Sequence, residues 1–481
     1  MSLKVQAVRG VKWTTLSSAV IAILHLTQLM LLARFLSPHD FGLSAILTVI
    51  ISFSTVFVDF GLSSSIIYKK GITEEQLNTL YWLNVLISFI VYLIIFFMAP
   101  LISDFYSEAE LYNLILIISS VLIIQAFGQQ FRVLFQKELQ FNIIAKIDMF
   151  ASMTSVTSAV LFAVYNFGVY ALIYPLIIMA IIKSVLLIYF GRKYHKVSFT
   201  FKLNDVKEFL SFGLYVVGNG IVSTIATQMD VILIEKLLGT EALGLYNVAK
   251  ELILKPSQLI NPIITKVAFP VMSKVNHDMT EVRRLYLKLV NYVSSVNFPI
   301  YVVTIILAPE IITLFLGAKW LEITSLFQIL AIWAFFRSRE NPIGVLVMAM
   351  GKPKYEMYWN ISIMIYMPII IYISSSWGIV GIGIGNLVSV ILLFIPGWYF
   401  LAFKLCKVSL KDYFMSSFSP LIISLSIGIV VYIFLYFGFD YLIYRLFITL
   451  IIGFLLFYYM NKKYNVDFYL TLLKILKRDN G

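Results

Sequence analysis

A chain of 481 residues that is 60% hydrophobic and only 13% charged cannot be an ordinary soluble globular domain, in which about a quarter of residues carry charge. The formal charge of +12 would suit a nucleic-acid partner if it formed a patch, but the basic residues are spread along the chain, which argues against one. A single cysteine, Cys406, excludes an internal disulfide and any cysteine-based metal site.

In chain order, apolar stretches are predicted at residues 10–36, 41–67, 78–103, 110–135, 142–166, 169–191, 208–237, 242–272, 286–308, 321–350, 355–375, 378–403, 414–438 and 440–460. Each is long enough to cross about 30 Å of hydrocarbon as a helix, and none has the period-two alternation of a membrane barrel. The expectation is an all-α integral membrane protein with 14 transmembrane helices. The basic start, up to Lys12, is read as leading into a retained first helix, because the apolar run after it is too long for a signal-peptide core. The tenth stretch contains Arg337-Ser338-Arg339-Glu340-Asn341-Pro342 and is kept as one span, since a loop there would reverse the sidedness of everything downstream.

Positive charge falls on alternate connections. Lys4, Arg9 and Lys12 precede span 1, Lys69 and Lys70 follow span 2, and Lys462, Lys463, Lys474, Lys477 and Arg478 follow span 14. The opposite connections hold only Arg34, Lys236, Lys319 and Arg445. Lys and Arg collect in cytoplasmic loops, so both termini are predicted to face the cytoplasm.

A weak repeat aligns residues 35–43 (Phe35 to Leu43) with residues 237–245 (Leu237 to Leu245), and Gly168-Val169-Tyr170-Ala171 with Gly378-Ile379-Val380-Gly381. Six spans per copy is an even number, so the copies enter from the same side and are related by a pseudo-two-fold along the membrane normal. The predicted organisation is an N-lobe at 1–195, a cytoplasmic linker at 196–207, a C-lobe at 208–405, two further helices at 406–461 and a basic tail at 462–481.

Charged groups inside spans are expensive and are expected to face other helices or a wet cavity. In span 8, Asn247, Lys250, Glu251, Lys255, Gln258, Asn261 and Thr265 recur near the helical period, and Pro256 and Pro262 interrupt the same helix. Glu251 and Lys255 are four residues apart and could neutralise each other. Span 10 adds Arg337 and Arg339 beside Glu340, which bind a ligand or form an internal salt bridge. Spans 1, 2 and 7 carry polar stripes, Thr14 to Gln28, Ser44 to Ser63 and Asn219 to Asp230, that include His25, Asp59 and Asp230. Small polar stripes also serve helix packing, whereas an intramembrane carboxylate needs a proton, a cation or a basic partner, which makes Asp59 and Asp230 the candidates for ion coupling. An excess of cations over anions along the route implies an anionic substrate. Lys183 and Lys266 are expected to snorkel.

No Walker loop, HExxH or GxSxG occurs, and Gly381-Ile382-Gly383-Ile384-Gly385 lies in an apolar span without the strand that a nucleotide loop needs. No catalytic residue, cofactor or metal is expected. The stretch Leu31-Leu32-Ala33-Arg34-Phe35-Leu36-Ser37-Pro38-His39-Asp40-Phe41-Gly42-Leu43, with Asp59-Phe60-Gly61-Leu62 after it, resembles the N-terminal signature of bacterial polysaccharide transporters of the multidrug/oligosaccharidyl-lipid/polysaccharide flippase superfamily. Residues 73–84 and Phe135-Gln136-Lys137-Glu138-Leu139-Gln140-Phe141 resemble its colanic-acid and lipopolysaccharide exporter subgroup.

The resemblance implies a flippase of the bacterial inner membrane that moves undecaprenyl-pyrophosphate-linked oligosaccharide between leaflets by alternating access. Its expected partners are that lipid-linked substrate, membrane lipids, and a glycan polymerase or glycosyltransferases of the same pathway. Arg34, Lys250, Lys255, Gln258, Asn261, Arg337 and Arg339 are the expected substrate-binding set, with Asp59 and Asp230 for ion coupling. The alternatives are a drug or small-metabolite exporter of the same superfamily and a membrane glycan polymerase.

Overall fold

The computed structural model describes the backbone of residues 3–59, 66, 71–202, 207–436 and 442–478. Within these, the side chains of 3–9, 11, 58, 59, 207–216, 263, 266, 267, 436, 442–447, 472 and 474–478 are outside the described set. Among the described residues every regular element is helical. Among the described residues, ten helices are long and apolar enough to cross a membrane, or eleven when the bent pair Gly378–Leu392 and Phe394–Cys406 counts as one span. A helix suits an apolar span because it satisfies its backbone groups within the segment, where hydrocarbon offers no partners.

The first part of the chain forms α1 (Leu3–Phe35), α2 (Pro38–Asp59), α3 (Glu74–Tyr106), α4 (Ala109–Lys137), α5 (Phe141–Val164), α6 (Tyr170–Gly191), α7 (Lys207–Leu238) and α8 (Thr240–Lys274). Local chemistry sets their ends. Thr73 and Gln76 close a reciprocal capping box at the start of α3. Ser37 donates to Asp40 at the α1–α2 turn, and Gly239 takes the left-handed conformation between α7 and α8 with φ of +87°.

The rest forms α9 (Met279–Ile306), α10 (Ala308–Phe315), α11 (Thr324–Ser338), α12 (Pro342–Ala349), α13 (Lys354–Ser375), α14 (Gly378–Leu392), α15 (Phe394–Cys406), α16 (Leu410–Met415), α17 (Phe418–Tyr436), α18 (Leu442–Tyr464) and α19 (Val466–Arg478). The tenth predicted stretch is one span, Ala318–Ala349, with an internal break between α11 and α12. Pro342 explains the break, since it has no N–H to continue the ladder and suits the first position of a new helix.

The chain divides into two compact units. Residues 1–247 with 363–368 form the first, and residues 248–362 with 369–481 the second. In the first, α4 packs on α6, α1 on α5, α3 on α4, and α2 on α7. Its core includes Phe131, Phe135, Ile147 and Leu187. In the second, α9 is the shared partner of α11 and α17, and Tyr286, Val290, Leu346 and Tyr413 are enclosed in its core. Both units also expose large apolar side chains, such as Phe97 at 70% and Phe454 at 68%. Such surface would drive aggregation in water and suits acyl chains.

The segment after α6 is strapped to α3. Asn78 exchanges hydrogen bonds with Ser198 (2.9 Å each), Trp82 Nε1 donates to the Ser198 carbonyl (3.0 Å), and Lys202 pairs with Glu75 (2.8 Å). The beginning of the predicted linker is thus held by side chains.

Candidate functional site

In the second unit, the polar run of α8 divides between two environments. Lys255 Nζ lies 2.6 Å from Glu251 Oε1, with the two side chains 14% and 38% exposed. This is the neutralising i, i+4 pair that the spacing predicts. Lys250 is half-buried one position before Glu251, and Gln258 is exposed three positions after Lys255. Lys250, too, is engaged with a neighbour.

Asn261 belongs to the other environment. It is buried, and its Oδ1 accepts from Asn297 Nδ2 of α9 at 2.9 Å, while the same Nδ2 donates to the Val293 carbonyl. Thr265 is turned back to the Asn261 carbonyl at 3.0 Å. The stripe is therefore accessible at Gln258 and packed against α9 at Asn261. Asn261 Nδ2 and Asn297 Oδ1 are buried without protein partners, which leaves this pair two polar valences for water or a ligand group.

The two arginines of the tenth span have different surroundings. Arg337 is exposed, with its guanidinium 5.0 Å from the ring centre of Trp333. A planar cation laid on an indole is pre-organised for a phosphate oxygen pair. Arg339 is buried between Tyr413, 4.0 Å to the ring centre, and Phe394, 4.6 Å, and it donates to the Tyr413 carbonyl. Its guanidinium ties the break between α11 and α12 to the chain around α15 and α16.

In the first unit, Asp230 of α7 is buried, and its Oδ2 accepts from the Tyr246 hydroxyl at 2.7 Å. It is a hydrogen-bonded carboxyl in the fold, where its position in span 7 alone suggests an isolated one. The side chain of Asp59 lies outside the described residues. Arg34 is exposed in the last turn of α1. The Ser/Thr stripes of α1 and α2 are largely satisfied by their own helices: Thr14 donates to the Gly10 carbonyl, Ser18 to Thr14, Thr48 to Ser44 and Ser52 to Thr48. Back-bonding of this kind is ordinary in membrane helices.

Three clusters went unnoticed in the sequence. Arg132 of α4 grips Asp148 of α5 with two bonds of 3.0 and 2.8 Å, and Lys183 of α6 adds a third contact at 3.4 Å. Lys183 thus has an ionic partner in place of the expected snorkelling. The only advance signal was Asp148 itself, an acid within the fifth apolar stretch. Asn297 and Tyr301 of α9, the latter beside Ser257, are also buried polar groups of a span. Glu108, Glu235 and Thr240 meet at helix ends, where charges ordinarily face water and attract no attention.

The chain matches the family model described as polysaccharide biosynthesis protein over residues 31–325. It is 31% identical to the lipopolysaccharide biosynthesis protein WzxC of Escherichia coli strain K12, over 90% of this chain and 88% of that protein. It is 33% identical to an uncharacterized membrane protein in the cps region of Klebsiella pneumoniae, over 88% of this chain and 87% of that one. Among solved structures, the lipid II flippase MurJ in an inward closed conformation superposes with a TM-score of 0.75 at 19% identity, covering 96% of this chain and all of that one.

Proposed function

Because the chain belongs to the polysaccharide biosynthesis protein family, we propose that it is a flippase for undecaprenyl-pyrophosphate-linked oligosaccharide, moving it from the cytoplasmic to the outer leaflet. In this reading fourteen helices span the cytoplasmic membrane with both termini in the cytoplasm. Two six-helix lobes, 1–195 and 208–405, work by alternating access, and the delivered oligosaccharide passes to polymerising enzymes. The reciprocal packing of the aligned α1–α2 and α7–α8 turns, in which Gly42 lies against the Thr240 carbonyl and Gly244 against the Pro38 carbonyl, supports the duplicated lobes.

The observation that carries the substrate assignment is the set of cations on α8 and α11, Lys250, Lys255 and Arg337. A pyrophosphate brings more negative charge than one carboxylate, so it would draw Lys255 from Glu251 while Lys250 and Arg337 bind directly. Gln258 would add an amide, and the spare polar atoms of the Asn261–Asn297 pair a further anchor. Arg34, near the outer end of α1, would meet the headgroup on delivery. Asp59 and Asp230 are assigned to coupling, with the Tyr246 hydroxyl holding the Asp230 carboxyl in place. Arg339 is assigned to helix packing.

The test is leaflet-specific detection of the lipid-linked oligosaccharide in cells depleted of this protein and lacking a second flippase. Accumulation on the cytoplasmic face, reversed by the wild type and not by the Lys250→Ala/Lys255→Ala double variant at equal protein level, is the expected result. Normal delivery in depleted cells would remove this substrate, and rescue by the double variant would remove the cationic site.

A further inference from the structure

At the end of the first unit where α1 turns into α2, α3 into α4 and α7 into α8, three polar side chains converge. Thr240 Oγ1 lies 2.6 Å from Glu108 Oε1 and 3.2 Å from Glu235 Oε1. Glu108 Oε1 also meets His39 Nε2 at 3.2 Å. Glu235 is buried to 3% exposure, and its second oxygen, Oε2, has no protein partner. Lys236, the nearest cation on the same helix, is anchored elsewhere: its Nζ donates to the Phe105 carbonyl at 2.6 Å and sits 4.6 Å from the Phe105 ring centre. Tyr106 also lies beside Glu235.

Hydrogen-bond counting decides what this cluster holds. A threonine hydroxyl has one proton, and two ionised carboxylates are acceptors only. Thr240 gives its proton to the nearer oxygen, that of Glu108 at 2.6 Å, and a proton on the other carboxyl would complete the longer contact. The surroundings point to the same carboxyl. Glu108 stands at the N-terminus of α4, where unpaired N–H groups favour an anion, and His39 adds a donor. Glu235 lies in the last turn of α7, where carbonyls point outward and an anion is disfavoured. It is also the more enclosed of the two, and an unpaired buried charge is costly.

We infer that Glu235 and Glu108, bridged by Thr240, form a proton-binding site that latches the α7–α8 turn to the start of α4. The inference rests on the orientation proposed above, which places this end on the outer face. With the proton bound, the chain of contacts Glu235–Thr240–Glu108–His39 is complete and the two turns stay packed. When the turns part, Thr240 leaves Glu108, Glu235 hydrates and its proton passes to outside water. Closure takes a proton back from the same side. The latch therefore responds to outer pH, and by itself it couples no proton movement across the membrane.

The test uses the full chain with Cys406→Ala and Leu243→Cys, because Leu243 is wholly buried in the packed turn. A membrane-impermeant maleimide is applied to spheroplasts across a pH series. Thiol reactivity itself rises with pH, so labelling is normalised to Asn113→Cys, an exposed position on α4. Normalised labelling is expected to rise several-fold as pH increases, to stay low throughout with Glu235→Gln, which keeps a neutral donor, and to stay high with Thr240→Val. A flat profile in the parent, or one that Glu235→Gln leaves unchanged, would overturn the latch. So would a profile that follows added sodium or calcium in place of pH. Labelling with the same pH dependence in inverted vesicles alone would leave the latch standing and overturn the orientation. Loss of oligosaccharide delivery is scored separately and bears on the substrate only.

Discussion

The Arg132–Asp148–Lys183 cluster of the first unit and the Lys250–Glu251–Lys255 set of the second contain the same charges, two cations and one carboxylate, each within predicted spans. They differ in where the partners come from. The first draws its three groups from α4, α5 and α6, and Asp148 is only 13% exposed, so the ions cross-link helices that pack directly. The second lies on one helix, where Glu251 and Lys255 can pair without a neighbouring helix and Glu251 remains 38% exposed. An ion cluster spread over three helices is spent on holding them. A pair formed within a single helix, as Glu251 and Lys255 are, adds little to the packing between helices.

Substitutions can break this contrast. The largest effect is expected for Asp148→Ala, which strands two partly buried cations in the first unit. Removing one partner of a buried pair costs about 3 to 5 kcal/mol, visible as a lower melting temperature in detergent and less folded protein. Arg339→Ala should come next, at about 2 to 3 kcal/mol from a lost charged hydrogen bond and ring contacts. Delivery per folded molecule should be unchanged, and a selective transport loss would return Arg339 to the substrate set. Lys250→Ala/Lys255→Ala should melt like the wild type while delivery falls by about tenfold or more, the equivalent of about 1.4 kcal/mol of lost ligand contact. Equal losses of melting temperature in this variant and Asp148→Ala would erase the distinction. The smallest effect is expected for Glu251→Gln, under about 1 kcal/mol in stability, with tighter binding of pyrophosphate measured on the purified protein because Lys255 no longer has a competing carboxylate.

Legibility in the sequence followed the range of the interaction. Most of the apolar stretches coincide with a single helix, but the tenth and twelfth are each broken, and parts of the second, thirteenth and fourteenth lie outside the described residues. The Glu251–Lys255 pair could be read from a four-residue spacing, and the capping box of α3 from Thr73 and Gln76, because both form within one turn. The division of the α8 stripe could not be read, since Asn261 is buried by Asn297, thirty-six residues away in sequence. Nor could the fate of the tenth-span arginines: Arg337 and Arg339 are two residues apart, and only the position of Tyr413 makes one a packing group.

The sequence by itself determined that this is a helical membrane protein, where its helices lie and to which family it belongs, because hydrophobic length and short signatures are local properties of the chain. Tertiary structure alone decided which polar groups are consumed and which remain to act. Glu108, Glu235 and Thr240 are unremarkable at their separate helix ends. They become one site because three turns meet, and a buried hydroxyl has a single proton to give.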